Sequence, residues 1–205
     1  MTPKAMQEKV RNDPVWFLEH VLGNTLWHRQ KAILEALRDH QRVSVRSCHA
    51  IGKSFTAARA VLWFLFAYQP STVITTAPTN EQVEGVLWRE IQEAHASSKI
   101  PLGGRMLTKR YELAHNWFAI GRSTDDPNRF QGYHSDNILI IPDESSGIDP
   151  RMFEGIEGIL SGGNAKMLLI GNPTDPNGFF ADSFKSPLYE KIRVSALDTP
   201  NFGPF

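Results

Sequence analysis

The sequence predicts an α/β fold, with a mostly parallel central sheet flanked by helices and an inserted hairpin. Three observations predict it. Extended, β-rich segments alternate with helical ones, three of the extended segments are near-continuous apolar runs, and the first leads through the loop SCHAIGKS into a long apolar helix. Continuous apolar runs suit strands covered on both faces, and strand–helix alternation is how parallel strands are joined.

The elements follow in order. Residues 1–40 form a helical N-terminal region that leads into a strand at RVSVRS, residues 42–47. The helix KSFTAARAVLWFLFAYQ follows, then a strand at STVITTAP and a second helix, NEQVEGVLWREIQEAHASS, for which Asn80 is the expected N-cap. RMLTKRYELAHNWFAIGRS holds two β-rich runs around AHN and reads as the hairpin. Strands are expected at DNILIIPDE, AKMLLIGNP and YEKIRVSA, with the helix PRMFEGIEGILSG after the first of these and Pro150 in its first turn. With no repeat or low-complexity tract, residues 1–205 read as one domain: the helical region 1–40, a core at 41–198 and the start of a linker at 199–205, where DTPNFGPF is dense in Pro, Gly and Asn.

Composition narrows the classes. A chain 41% hydrophobic and 21% charged is an ordinary globular one. Its longest apolar stretch, AVLWFLFAY, is roughly half the ~20 residues a bilayer span needs, and no signal sequence opens the chain, so it reads as soluble, unsecreted and without membrane attachment. The single cysteine, Cys48, excludes an internal disulfide, and the seven histidines show no metal-binding spacing. Net charge is zero but uneven: residues 1–110 hold 15 Lys and Arg against 9 Asp and Glu, and residues 111–205 hold 7 against 13. A basic face would suit a polyanion, whereas a neutral whole argues against tight charge-driven DNA binding by this chain alone.

The loop carries the chemistry. Strand, then G-x-x-x-x-G-K-[ST], then helix is the phosphate-loop template, and every part is present except the first glycine, replaced by Ser47. A side chain is tolerated there if φ is negative. Cys48, His49, Ala50 and Ile51 fill the variable positions before Gly52, and backbone N–H groups from His49 to Ser54 can curl into an anion-binding nest at the helix N-terminus. Lys53 then reaches the β- and γ-phosphates, the Ser54 hydroxyl ligates Mg²⁺, and Phe55 completes the expected nucleotide site. The apolar strand NILIIPDE ends on a second candidate pair: Asp143 at the metal shell and Glu144 to orient or deprotonate the attacking water. Pro142 lacks a backbone donor and fits only at the end of such a strand. Asn172, ending LLIGN, offers an amide to the γ-phosphate and the water, although Gly-Asn-Pro is also ordinary turn chemistry.

In combination these residues resemble the ATPase domain of a tailed-bacteriophage terminase large subunit, the DNA-packaging motor and a phosphate-loop NTPase of the ASCE type. The likeness runs through LWHRQKAIL, the loop, TTAPTNEQVEGVLWREI, NRFQGYHSDNILIIPDESSGI, LLIGNPTDPNG and ALDTPNF, covering nearly the whole chain. It implies that Gln30 recognises adenine, that Glu144 is the catalytic carboxylate beside the Mg²⁺-linked Asp143, and that Asn172 couples hydrolysis to movement. It implies that the strand bearing Asn172 lies between those bearing the loop and Asp143. ATP and Mg²⁺ are the implied cofactors. The implied partners are double-stranded DNA, a portal protein and a small terminase subunit, in a homo-oligomeric ring that can be monomeric in isolation, within the infected host's cytoplasm. Some relatives carry arginine where His49 stands, so the charge-stabilising arginine is sought elsewhere: Arg129, given to a neighbouring subunit, is preferred over Arg46 and Arg122. Lys109 and Arg110 in the hairpin are candidate DNA contacts. The family's nuclease domain would follow DTPNF, and DNA cleavage is not expected of residues 1–205. Two alternatives stay open: a helicase-like ATPase, because TTAPTNEQ also resembles a helicase strand-end motif, and a nucleotide-binding module that does not hydrolyse.

Overall fold

The computed structural model describes residues 2–123, 132–133, 135–160 and 162–200. The N-terminal region folds as α1 (Pro3–Asn12), α2 (Pro14–Trp16) running into a π-helical turn at Phe17–Val21, and α3 (His28–Asp39). Then come β1 (Arg42–Ser47), α4 (Lys53–Ala67), β2 (Thr72–Ala77), and a continuous helical stretch of α5 (Asn80–Gln82), a π segment at Val83–Trp88 and α6 (Arg89–Ala96). Strands β3 (Arg105–Met106), β4 (Arg110–Ala114), β5 (Trp117–Ser123) and β6 (Asn137–Pro142) precede α7 (Pro150–Ile159), β7 (Asn164–Gly171), α8 (Phe179–Ser183) and β8 (Glu190–Val194).

The eight strands form one sheet in the order β3-β4-β5-β2-β6-β7-β1-β8. From β5 to β8 every pairing is parallel, and in this sheet only β4 runs against the rest, paired antiparallel with both β3 and β5. The strand bearing Asn172 at its end thus lies between those leading to the loop and to Asp143, as the resemblance implied. Alternate residues of the central strands feed two cores. Val43, Val45, Leu168 and Ile170 face the layer of α1, α3, α4 and α6; Met167, Leu169, Ile138 and Ile140 face α7 and α8. Burial on both faces is what the apolar runs of β6 and β7 specify.

Two details differ from expectation. Thr79, not Asn80, caps the second long helix: its hydroxyl accepts the Gln82 N–H while the Gln82 side chain accepts the Thr79 N–H, a reciprocal pairing one residue upstream. The hairpin of β4 and β5 forms, but β5 is also a full member of the main sheet, paired in parallel with β2 from Thr72–Phe118 to Ala77–Ser123. Gly121 permits this close packing, because a β-carbon there would lie 2.3 Å from the indole nitrogen of Trp88, which donates to the Thr75 hydroxyl at 2.9 Å. Of the expected linker at 199–205, residues 201–205 lie outside the described residues.

Candidate nucleotide site

The site lies at the carboxyl edge of the sheet, where β1, β7 and β6 end side by side. Ser47 closes β1 in extended backbone, paired with Val194, which explains why a side chain is accommodated where the template has glycine. The loop then turns through two left-handed residues, Ala50 at φ 60° and Gly52 at φ 79°. The left-handed backbone at Gly52 favours glycine, and a β-carbon there would lie 2.8 Å from Nε2 of Gln30, so that side chain would have to shift. The Gly52 carbonyl accepts the Thr56 N–H at 3.0 Å, so the loop passes directly into α4.

Lys53, only 7% exposed, folds back over the loop: Nζ donates to Oδ1 of Asn172 at 2.6 Å and to the Cys48 carbonyl at 3.1 Å, and lies 3.9 Å from Oε1 of Glu144. The Ser54 hydroxyl donates to Oδ2 of Asp143 at 3.3 Å. Asp143 continues from β6 with its N–H bonded to the Thr76 carbonyl at 2.8 Å, and Pro142 sits at the strand's last position, where its missing donor is tolerated. Glu144 takes a left-handed conformation, φ 47° and ψ 46°, which turns the chain sharply after the aspartate. Ser145 locks that turn by donating to the Pro142 carbonyl at 2.7 Å and accepting the Ile170 N–H at 3.2 Å. Gly171 lets β7 approach it, because a β-carbon there would lie 2.9 Å from the Ser145 nitrogen.

Burial shapes the electrostatics. Asp143 is 2% exposed, and its carboxyl is pushed up to about 6, first by desolvation and then by the neighbouring Glu144 carboxylate; the Glu144 N–H, the Ser54 hydroxyl and Lys53 pull the other way. Asn172 is buried too. Its Oδ1 holds Lys53, while its Nδ2 lies 2.8 Å from Nε2 and 3.0 Å from Nδ1 of the His49 ring.

The structure therefore brings Lys53, Ser54, Asp143, Glu144 and Asn172 together, with His49 alongside. Gln30 is buried beside the loop, its Oε1 accepting the Trp27 N–H at 3.3 Å. Phe55 lies over the guanidinium of Arg59, 3.6 Å from ring centroid to Cζ. Arg46 and Arg122 are not brought in: the Arg46 guanidinium lies over the Phe184 ring, and Arg122 donates to the Tyr133 hydroxyl at 2.7 Å on β5, beyond β2 and β6 from the loop. Arg129 lies outside the described residues. Lys109 pairs with Asn80 and Glu84, and Arg110 with Glu112 and the Phe118 ring, so both hairpin cations already have partners.

A cleft of about 1070 Å³ lies elsewhere. Thr72, Phe118 and Ile138 line it at the amino ends of β2, β5 and β6, the edge opposite the loop. It gathers no lysine, no aspartate pair and no helix N-terminus comparable to the loop, so the chemistry belongs at the other edge.

No family model matches the sequence. A curated protein of Enterobacteria phage P7, described as "Probable terminase, large subunit", is 29% identical over 184 residues, 84% of this chain and 37% of that protein. The chain thus spans little more than a third of that relative's length. The large terminase ATPase domain of Thermus phage P74-26 superposes with a TM-score of 0.70 over 91% of this chain and 87% of that one, at 21% identity. The chain has the fold of a phage large-terminase ATPase domain. The large terminase of a thermophilic bacteriophage, solved in complex with ADP, shares that terminase fold with a TM-score of 0.70 at 12% identity, over 87% of this chain and 48% of that one. The resemblance read from the sequence is thereby borne out, as is the mostly parallel phosphate-loop NTPase architecture.

Within the terminase fold, the donor set suits a small hard cation. Among the described residues no group of three or more His, Cys, Asp and Glu could hold a metal. Magnesium at a nucleotide needs no such cage: it keeps several waters and takes one or two protein oxygens with the phosphates. Ser54 Oγ and the Asp143 carboxylate, 3.3 Å apart, are two oxygens that could serve in that way. Sequence reasoning missed the ring of His49 as a partner of Asn172, and missed Gly171. The second had a signal: glycine ending a buried strand marks close backbone approach.

Proposed function

We propose that this chain is the ATPase motor domain of a phage terminase large subunit, one domain over residues 1–205, which hydrolyses ATP with Mg²⁺ to drive double-stranded DNA into a procapsid. The observation that carries the proposal is the convergence of Lys53, Ser54, Asp143 and Glu144 from two separate strand ends, within 3.9 Å pairwise contacts, in a fold shared with large-terminase ATPase domains. ADP and ATP-γ-S complexes of a large terminase with the same fold support the nucleotide.

In this proposal the N–H groups of residues 49 to 54 hold the phosphates, and Lys53 leaves Asn172 for the β- and γ-phosphate oxygens. Gln30 faces the adenine. Ser54 and Asp143 hold Mg²⁺, which when bound neutralises charge on the phosphate oxygens. Glu144, on its left-handed turn and partly exposed, orients water and accepts its proton. Asn172, between the loop and β6, senses the change in phosphate and passes it to β7. Arg129 stabilises transition-state charge in a neighbouring subunit, which calls for a homo-oligomeric ring around DNA; the portal and a small terminase subunit complete the machine in the host cytoplasm.

The test is Glu144→Gln. It retains size and hydrogen bonding but cannot accept the proton, so ATP affinity should stay within a few-fold while turnover falls by ~10² or more. Unchanged turnover would remove Glu144 from the mechanism.

A further inference from the structure

The sheet is not paired evenly at the candidate site. The ladder between β6 and β7 ends at Ile140 and Met167, although β6 runs on to Pro142 and β7 to Gly171. Beyond that point each strand follows its other neighbour. β6 stays with β2 through the Thr76–Pro142 pair, and the Asp143 N–H continues to the Thr76 carbonyl. β7 stays with β1 through the Arg46–Gly171 pair. The carboxyl edge is thus split by a seam, with Asp143 and Glu144 on one side and the loop, Lys53, Ser54 and Asn172 on the other. Two contacts across it, Ser54 with Asp143 and Lys53 with Glu144, join groups that a bound nucleotide and metal would take for themselves. Two more are made by serine hydroxyls. Ser145, 1% exposed, accepts the Ile170 N–H and donates to the Pro142 carbonyl, serving backbone groups next to the split. Ser146, half-buried, donates to the Asn172 carbonyl, which also accepts the Thr174 N–H.

We infer that Ser146 is a positioning residue for the reaction: its bond to the Asn172 main chain fixes the turn bearing Glu144 against the loop side of the seam, and so fixes where that carboxylate meets water. This rests on the nucleotide-site reading above and adds a residue to it. Ser146 sits two residues from Glu144 on one tight turn, in which the Gly147 N–H bonds to the Glu144 carbonyl at 2.9 Å. A shift of the Asn172 main chain is therefore passed to the turn through a single hydroxyl. A catalytic base is sensitive to such placement, since an error of about 1 Å can cost on the order of 10²-fold in rate. The two serines differ in what their loss would do. Without its hydroxyl Ser145 would leave the buried Ile170 N–H and Pro142 carbonyl short of a partner, which damages the turn itself. Ser146 makes one bond, from a half-buried position, so its removal isolates the link between Glu144 and Asn172.

The experiment measures ATP turnover, KM and Mg·ADP affinity for the full chain at one fixed protein concentration, with the melting of each variant checked first. Ser146→Ala removes the donor and should lower kcat about 3- to 10-fold, the scale of one hydrogen bond, while KM and ADP affinity stay within about twofold. Ser146→Thr keeps the hydroxyl and should hold kcat within about twofold of the unaltered protein. If Ser146→Ala does not fold, Ser146→Thr against Ser146→Val, alike in shape and differing in the hydroxyl, carries the same comparison. A second readout uses Glu144→Gln as the background. Because Ser146 acts through the Glu144 carboxylate, adding Ser146→Ala there should leave the residual turnover within about twofold. An equal loss in both backgrounds, kcat and affinity falling together, or unchanged kcat in Ser146→Ala would overturn the inference and leave the nucleotide site standing. Full turnover in Glu144→Gln alone would instead remove the reading of the site, and the inference with it.

Discussion

Asp143 sits between two demands: it is buried deeply enough to resist ionisation, yet its proposed task needs the charged form. Its carboxyl, raised from 3.8 to about 6, holds a proton more tightly in the folded chain than in the unfolded one. Folded protein therefore binds more protons between pH about 4 and about 6, and stability falls as pH rises through that window, by on the order of 3 kcal/mol in total. Asp13 and Asp39, whose carboxyls are lowered by their own partners, slope the opposite way, so the quantity to follow is the difference between the protein and Asp143→Asn. In urea unfolding with a chelator present, that difference should move against the aspartate between pH 4 and 6; a flat difference would remove the burial penalty. Gly171 is the other residue on which the geometry turns. Gly171→Ala sets a β-carbon against the backbone of Glu144 and Ser145, so about 1 to 3 kcal/mol of stability should be lost and ATP turnover should fall further than affinity does. Wild-type turnover in that variant would mean the turn can shift without moving Glu144.

At the scale of elements, helix ends and strand ends are tied by specific side chains. Lys166, buried on β7, donates to the carbonyls of Arg38 and His40 at 2.9 Å each, filling the open carbonyl end of α3 with a cation. Lys166→Met keeps the length of the stem and removes both bonds, and should cost about 1 to 2 kcal/mol in chemical denaturation while leaving ADP affinity unchanged. A loss of affinity would show that α3 transmits strain to the loop through Gln30. Strands β1, β2, β6, β7 and β8 lie where RVSVRS, STVITTAP, DNILIIPDE, AKMLLIGNP and YEKIRVSA predict them: β6 and β7 are legible as apolar runs buried on both faces, whereas β8, a largely exposed edge strand, is legible only from its β-rich composition. The π stretches at Phe17–Val21 and Val83–Trp88 were not legible. Each stretch holds a buried large side chain, Phe17 in the first and Trp88 in the second, and the local shift of hydrogen-bond register is not encoded in helical periodicity. Thr79 was readable in principle, since Thr-x-x-Gln is a capping pattern, but Asn80 offered an equally good cap one residue later.

Over the whole molecule, the uneven charge resolves largely into pairs. Arg42 meets Glu157, Arg29 meets Asp198, and the nearly buried Arg59 donates to Glu90 at 2.6 Å, so several cations of the basic half are spent on holding elements together. Arg59→Ala would leave Glu90 without that partner, whereas the exposed pairs contribute little. The acids and the loop of the candidate site were legible because phosphate chemistry demands fixed residue types at fixed spacing; the wiring among Lys53, Asn172 and His49 was not, because it depends on three chain segments meeting at one sheet edge. The most direct measurement is a crystal structure of the chain with Mg²⁺ and ATP-γ-S. The account predicts polyphosphate against the N–H groups of residues 50 to 54, with the metal between the Ser54 hydroxyl and Asp143 and Lys53 detached from Asn172. Nucleotide bound in the cleft at the opposite edge, with Lys53 still on Asn172, would contradict it.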